Sequence, residues 1–243
     1  MMDMPFILDC LRRMLAGMPL TLQLAALSLV CGALLGLLIA FCRLAGNRLL
    51  STFGWIYVQV IRSTPLLVLL FLIYYGPGQF PAIRHSFLWP ILREPYYCAL
   101  LGLLINSSGY AAEIIRGGLL SVSHQEKEAA AACGMSGWLL YRRIILPIAI
   151  RQALPAFSNE IIAMVKATSL VSLVTLMDIT GIAADIASET YRPIPVFIAA
   201  GAIYLAINFV LTRIVMFIEY RLTPHLRPAS VKTVLKATRY DHN

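Results

Sequence analysis

Residues 128–147 read E-A-A-A-A-C-G-M-S-G-W-L-L-Y-R-R-I-I-L-P. Alanine is the best helix former, so residues 126–133 should form a short helix of small side chains. Gly134 can end that helix by taking a left-handed conformation. Residues 135–145 read as a second short helix, whose continuation Pro147 limits. A bare alanine ridge lets another protein come close to the backbone, and Arg142 and Arg143 can hold the loop by pairing with acids. The triplet E-A-A alone would suit any amphipathic loop. The full spacing, E-A-A-x3-G-x9-I-x-L-P, asks for more, and it falls between apolar runs long enough to cross a bilayer.

Composition agrees with a membrane setting. The chain has 243 residues, 59% hydrophobic and only 13% charged, against about 25% charged in soluble domains. Its mean hydropathy is +0.77. A net charge of +8 fits nucleic-acid binding poorly, because the basic residues fall in loops between apolar runs, where they record orientation. The five cysteines and four histidines are scattered without a C-x-x-C pair, so neither a disulfide framework nor a metal site is expected. One domain, all α and membrane-embedded, is the expected architecture.

Five spans are expected, at about residues 19–41, 53–75, 97–115, 148–176 and 196–217. At 1.5 Å per residue the first of them crosses a hydrocarbon core of about 30 Å with some tilt. The N-terminus does not read as a cleavable signal: the run after Arg12 and Arg13 is too long, and Asp3 and Asp9 precede it. Gly32, Ala33, Gly36 and Ala40 give the first span a face for close helix packing. The second span is interrupted at Arg62-Ser63-Thr64-Pro65 and is expected to adjust at Pro65. Arg62 either pairs inside the protein or snorkels to the aqueous face, and snorkelling is favoured. The loop up to residue 95, rich in proline and aromatics, suits the interface. In the third span Asn106, Tyr110 and Glu113 share a face, and Glu113 can pair with Arg116.

The fourth span carries Glu160 and Lys166. A charge at mid-bilayer costs at least about 2.5–3.5 kcal/mol, so both must face protein or water. They sit about 120° apart on a helix and cannot simply neutralise each other. Glu160 therefore needs a basic side chain or a cationic ligand, and the ligand is favoured. Lys166 is expected to be structural, beside Thr168 and Ser169. Residues 178–195 read as an acidic loop, and residues 219–243 as a basic, polar tail.

Alternation puts Arg43, Arg48, Arg62, Arg116, Lys127, Arg142, Arg143, Arg151, Arg213 and the tail's basic residues on one side. Arg12, Arg13, Arg84, Arg93 and Arg192 fall on the other. The richer side is cytoplasmic, which puts the N-terminus outside, the C-terminus inside and residues 123–147 in the cytoplasm.

The spacing of Glu128, Ala129, Ala130, Gly134, Ile144, Leu146 and Pro147 resembles the signature coupling loop of ABC importer membrane subunits. Residues 61–76 (I-R-S-T-P-L-L-V-L-L-F-L-I-Y-Y-G) and 109–119 (G-Y-A-A-E-I-I-R-G-G-L) are similar to the polar amino-acid permeases of the histidine and glutamine type. Y-Y-G-P-G-Q-F-P at 74–81, L-R-E-P-Y-Y-C-A-L at 92–100, S-N-E-I-I at 158–162, K-A-T-S-L at 166–170 and T-L-M-D at 175–178 resemble the M-type permeases of arginine importers. The resemblance implies a type I importer fold in a bacterial inner membrane. It also implies a cytoplasmic ATPase dimer docking on the coupling loop, a second homologous permease completing a heterodimer, and a periplasmic amino-acid-binding protein.

Substrate is then expected at Glu160, with Asn106 and Ser107 on its polar ends. A mid-membrane carboxylate complements a guanidinium or ammonium group, so a basic amino acid, arginine above all, is the expected cargo. Histidine, lysine, ornithine and guanidino-type opines are the alternatives. No catalytic residue is expected here: no G-x-x-x-x-G-K-[ST] phosphate loop, H-E-x-x-H or Ser/His constellation occurs. ATP and magnesium would belong to the partner ATPase, so no cofactor is expected in this chain. The competing reading, an ion-coupled carrier, leaves the loop spacing unexplained and lacks internal repeats.

Overall fold

The computed structural model describes residues 4–222, so most of the basic tail lies outside the described residues. All regular structure among them is helical. α1 (Met4–Met14) leads through a single 3₁₀ turn into α2 (Met18–Leu44). α3 (Arg48–Ser63) and α4 (Leu66–Tyr75) follow. Two single-turn helices, α5 (Pro81–Arg84) and α6 (Trp89–Leu92), lead to α7 (Pro95–Leu120). α8 (His124–Ala132) and α9 (Gly137–Leu140) form the connection to α10 (Leu146–Ala167). α11 (Ile179–Thr190) and α12 (Pro193–Leu222) complete the chain.

Among the described residues four helical stretches are long and apolar enough to cross a membrane. A fifth exists only if α3 and α4 count together, and they meet at 101°. The expected second span is therefore not a helix adjusted at Pro65 but two helices at nearly a right angle. Thr64 precedes a proline, which drives it out of the helical region. Both Thr64 and Pro65 are extended, with ψ 125° and 134°. The Thr64 hydroxyl donates to the Val60 carbonyl at 2.8 Å, capping the broken end.

α7 is the central element, with α2, α4 and α10 packed around it. The small residues expected to serve packing do so. A Cβ on Gly32 would lie 2.8 Å from the Ser107 Cβ, and one on Gly36 would lie 2.7 Å from the Ala111 Cβ and 2.9 Å from the Ala112 nitrogen. Backbone approach at this distance brings van der Waals packing that lipid cannot supply. Gly36→Ala should therefore force the two helices apart and cost about 1–3 kcal/mol. Thermal unfolding in detergent checks this; an unchanged midpoint would mean that α2 and α7 can separate freely.

Residues 178–190 are not a loop. Asp178 caps α11, accepting from the Gly181 N–H at 2.8 Å and from the Tyr204 hydroxyl of α12 at 3.0 Å. The Thr21 hydroxyl of α2 accepts from the Ile179 N–H at 3.4 Å. The backbone passes so close to Gly17 that a Cβ there would meet the Asp178 carbonyl carbon at 2.6 Å. The buried Asp178 carboxylate thus fastens α11 to α12, and the Thr21 hydroxyl ties it to α2.

Candidate functional site

Glu160 is half-buried on α10, where the Ser107 hydroxyl of α7 donates to its carboxylate. Ser107 is itself buried, because Gly32 of α2 lets α7 come close on its other side. Two helices far apart in sequence thus build one polar spot in an apolar wall. No basic side chain among the described residues forms an ion pair with Glu160. Asn106, one position earlier on α7, is half-buried and joins no side-chain hydrogen bond among the described residues.

Lys166 points elsewhere. It is exposed and lines a cavity between α10 and α12 with Tyr204, Asn208 and Thr212. The neighbours expected to hold it do not: the Thr168 hydroxyl donates to the Val165 carbonyl and the Ser169 hydroxyl to the Lys166 carbonyl, each at 2.7 Å. Short hydroxyls on a helix reach their own backbone more easily than a long amine.

Nearer the other end of α7, Glu113 joins two arginines. It pairs with Arg116 at 2.8 Å, as the i, i+3 spacing suggests, and also with Arg43 of α2. The third member was not visible in the sequence, since nothing local links residue 43 to residue 113. Arg62 is exposed and lies over the Tyr110 ring, 5.3 Å from its centre, a cation–π contact rather than an ion pair.

The residues of the signature spacing gather at the α8–α10 connection. Ser123 and Glu126 cap α8 reciprocally: the Ser123 hydroxyl accepts from the Glu126 N–H at 3.2 Å, and the Ser123 N–H donates to Glu126 at 2.9 Å. Glu128 is exposed and lies 3.1 Å from the His124 Nδ1. Ala129 is exposed, Ala130 is turned inward, and Ala131 and Ala132 are exposed. Gly134 takes φ +79°. Its N–H donates to the Ala131 carbonyl at 2.9 Å, and the Met135 N–H to the Ala130 carbonyl at 3.1 Å, the paired bonds that close a helix on glycine. Space around Gly134 is open, so its conformation and not its size is required. Gly134→Ala should cost about 1–2 kcal/mol and speed amide exchange at Gly134 and Met135. Unchanged exchange would show that the turn does not hold this end of α8.

Beyond the turn, Trp138, Leu139 and Tyr141 are exposed. Ile144 and Pro147 are half-buried and Leu146 is partly exposed. Pro147 does not stop the helix. Residues 141–145 form a π-helical turn in which the Leu146 N–H donates to the Tyr141 carbonyl, and α10 continues directly. The wider turn accommodates a proline ring that a regular helix would press against the carbonyl four residues back.

Residues 32–224 match the family described as the inner membrane component of binding-protein-dependent transport systems. The octopine transport system permease protein OccM of Rhizobium meliloti is 52% identical over 225 residues, 93% of this chain and 92% of its own. The histidine/lysine/arginine/ornithine transport system permease protein HisM of Escherichia coli K12 is 39% identical over 215 residues, 88% of this chain and 90% of its own. A solved amino acid ABC transporter with histidines superposes with a TM-score of 0.81 at 33% identity, covering 91% of this chain and 99% of that one. With the family match covering most of its length, the chain belongs to the family of inner membrane components of binding-protein-dependent transport systems.

Proposed function

We propose that this chain is one of two permease subunits of an ATP-driven importer for guanidino compounds, arginine or an opine that keeps the guanidinium, in a bacterial inner membrane. The observation that carries the reading is Glu160, a half-buried carboxylate held by Ser107 and left without a basic partner among the described residues. An anion in that setting favours a cation, and the planar guanidinium matches a carboxylate fork. Further support comes from the substrates named for the similar OccM and HisM permeases. Histidine, lysine and ornithine carry the alternative cations.

In this reading the N-terminus faces the periplasm and the C-terminus the cytoplasm, following the basic residues. Two ATPase subunits dock on α8 and its counterpart in a second, homologous permease. They hold the ATP and magnesium, and this chain holds neither. A periplasmic binding protein delivers the substrate, and closure of the ATPase dimer drives α8 and switches the path.

Purification of the tagged chain from its native membrane in mild detergent should recover an ATPase and a second permease. ATP hydrolysis by that complex should rise more with binding protein loaded with arginine or octopine than with glutamine. Recovery of the chain alone, where other membrane complexes survive, would favour an ion-coupled carrier. An equal response to glutamine would remove the guanidino assignment.

A further inference from the structure

Two cavities share a wall on α10. One, about 280 Å³, is a purely apolar groove between α2, α7 and α10, with Leu37, Leu119 and Phe157 in its lining. The other, about 360 Å³, lies between α10 and α12 and is lined by Arg151 and Arg221. Leu146 and Ile150 line both. Neither arginine is ion-paired among the described residues, and Arg221 lies over the Phe217 ring at 5.2 Å. Glu219 is two residues before Arg221, about 200° round the helix, and so belongs to another face.

We infer that this pair of cavities is a binding site for an anionic phospholipid, with the headgroup phosphate between Arg151 and Arg221 and an acyl chain along the apolar groove. Charge and shape both point to that occupant. Arg151 and Arg221 line one cavity, no anion among the described residues pairs with either, and a phosphate accepts two such forks. Side chains on a helix tilt toward its N-terminus, so Arg151 reaches back to the level of Leu146 and Pro147, at the end of α10 that Arg221 also occupies. From Leu146 to Phe157 the helix rises about 16 Å, close to the depth of one leaflet, about half of a 30 Å core. A free phosphate would use the arginines and leave the groove without a role. Basic pockets between helix ends on the cytoplasmic side are where anionic headgroups settle. The site would tie α10, which carries Glu160 and follows the α8 connection, to the lipid composition around it.

The test uses the full chain with whatever subunits accompany it, in mild detergent, offered equal amounts of phosphatidylglycerol and phosphatidylcholine, with retained lipid counted by native mass spectrometry. The wild-type protein should retain phosphatidylglycerol preferentially. The double variant Arg151→Gln/Arg221→Gln should retain about tenfold less of it, with phosphatidylcholine unchanged. Ile150→Trp, which narrows the shared wall, should lower retention with both arginines in place. Both arginines are exposed and form no ion pair among the described residues, so the double variant should keep the wild-type melting temperature, which serves as the folding control. Equal phosphatidylglycerol retention by wild type and double variant overturns the site. Displacement of the lipid by equimolar inorganic phosphate would reduce it to a plain anion site. Efficient cross-linking of Ile150→Cys to a co-purified permease would mean that protein covers the groove, and this too overturns the lipid assignment.

Discussion

Glutamine in place of Glu160 should cut arginine uptake about ten- to hundredfold while the complex still assembles. The substitution keeps the side chain's shape and an oxygen for the Ser107 hydroxyl to reach, so the contact between α7 and α10 survives. What is lost is the charge. A hydrogen bond to a charged partner contributes about 1.5–3 kcal/mol, which corresponds to roughly one to two powers of ten in affinity or rate. Lys166 cannot compensate or interfere, since it lies on another face of α10, in the cavity beside α12. Citrulline makes the measurement specific: it has the size of arginine without the charge. Uptake of both by cells carrying the variant should show arginine falling and citrulline holding, so that their ratio collapses. Ser107→Ala should have a smaller effect in the same direction, because it removes one orienting hydroxyl and leaves the anion. An arginine-to-citrulline ratio unchanged in Glu160→Gln would place the cation site elsewhere.

What could be read from the sequence was local. The signature spacing located α8, and the glycine that ends it does so in the left-handed conformation the spacing suggests. The pairing of Glu113 with Arg116 followed from i, i+3 geometry. The small residues of the first apolar run forecast its packing face. Each of these depends on residues within a turn or two of each other. What the sequence hid is either a competition between local rules or a contact between distant segments. Pro65 could kink a span or break it; the extended preference of Thr64 before it made the break complete. Pro147 looked like a stop, yet a wider helical turn absorbs it. α11 read as part of an acidic loop because Asp178, Asp185 and Glu189 stand out in the stretch, while Asp178, Thr21 and Tyr204, on three separate segments, fasten it in place. The meeting of Glu160 with Ser107 is of the same kind. Each residue stood out alone as polar within an apolar run, but only the packing of α7 against α10 joins them.

Removal of the negative charge at Glu113 should be the most damaging change for stability. Glu113 sits between Arg43 of α2 and Arg116 of its own helix, and its side chain is 20% exposed. The stem of Arg43 lies on α3, where a Cβ on Gly54 would meet its Cγ at 2.7 Å, so the guanidinium has little freedom to turn away. Arg62 contributes further positive charge at Arg43. With glutamine at 113, two guanidinium groups would face each other across a largely water-excluded space. Breaking a buried pair costs about 3–5 kcal/mol, and the partial exposure here lowers the expected loss to about 2–4 kcal/mol. The whole site differs from a surface ion pair, where the loss would stay below about 1 kcal/mol. Denaturation of the detergent-solubilised protein measures it, and a double-mutant cycle assigns the cause. Arg43→Met added to Glu113→Gln should restore part of the stability, because it removes the repulsion that the first change creates. Arg43→Met alone should cost less than Glu113→Gln, since it leaves Glu113 paired with Arg116. Should Glu113→Gln shift the midpoint no more than a surface pair would, water rather than the carboxylate balances the arginines, and the α2–α3–α7 junction rests on its glycine packing instead.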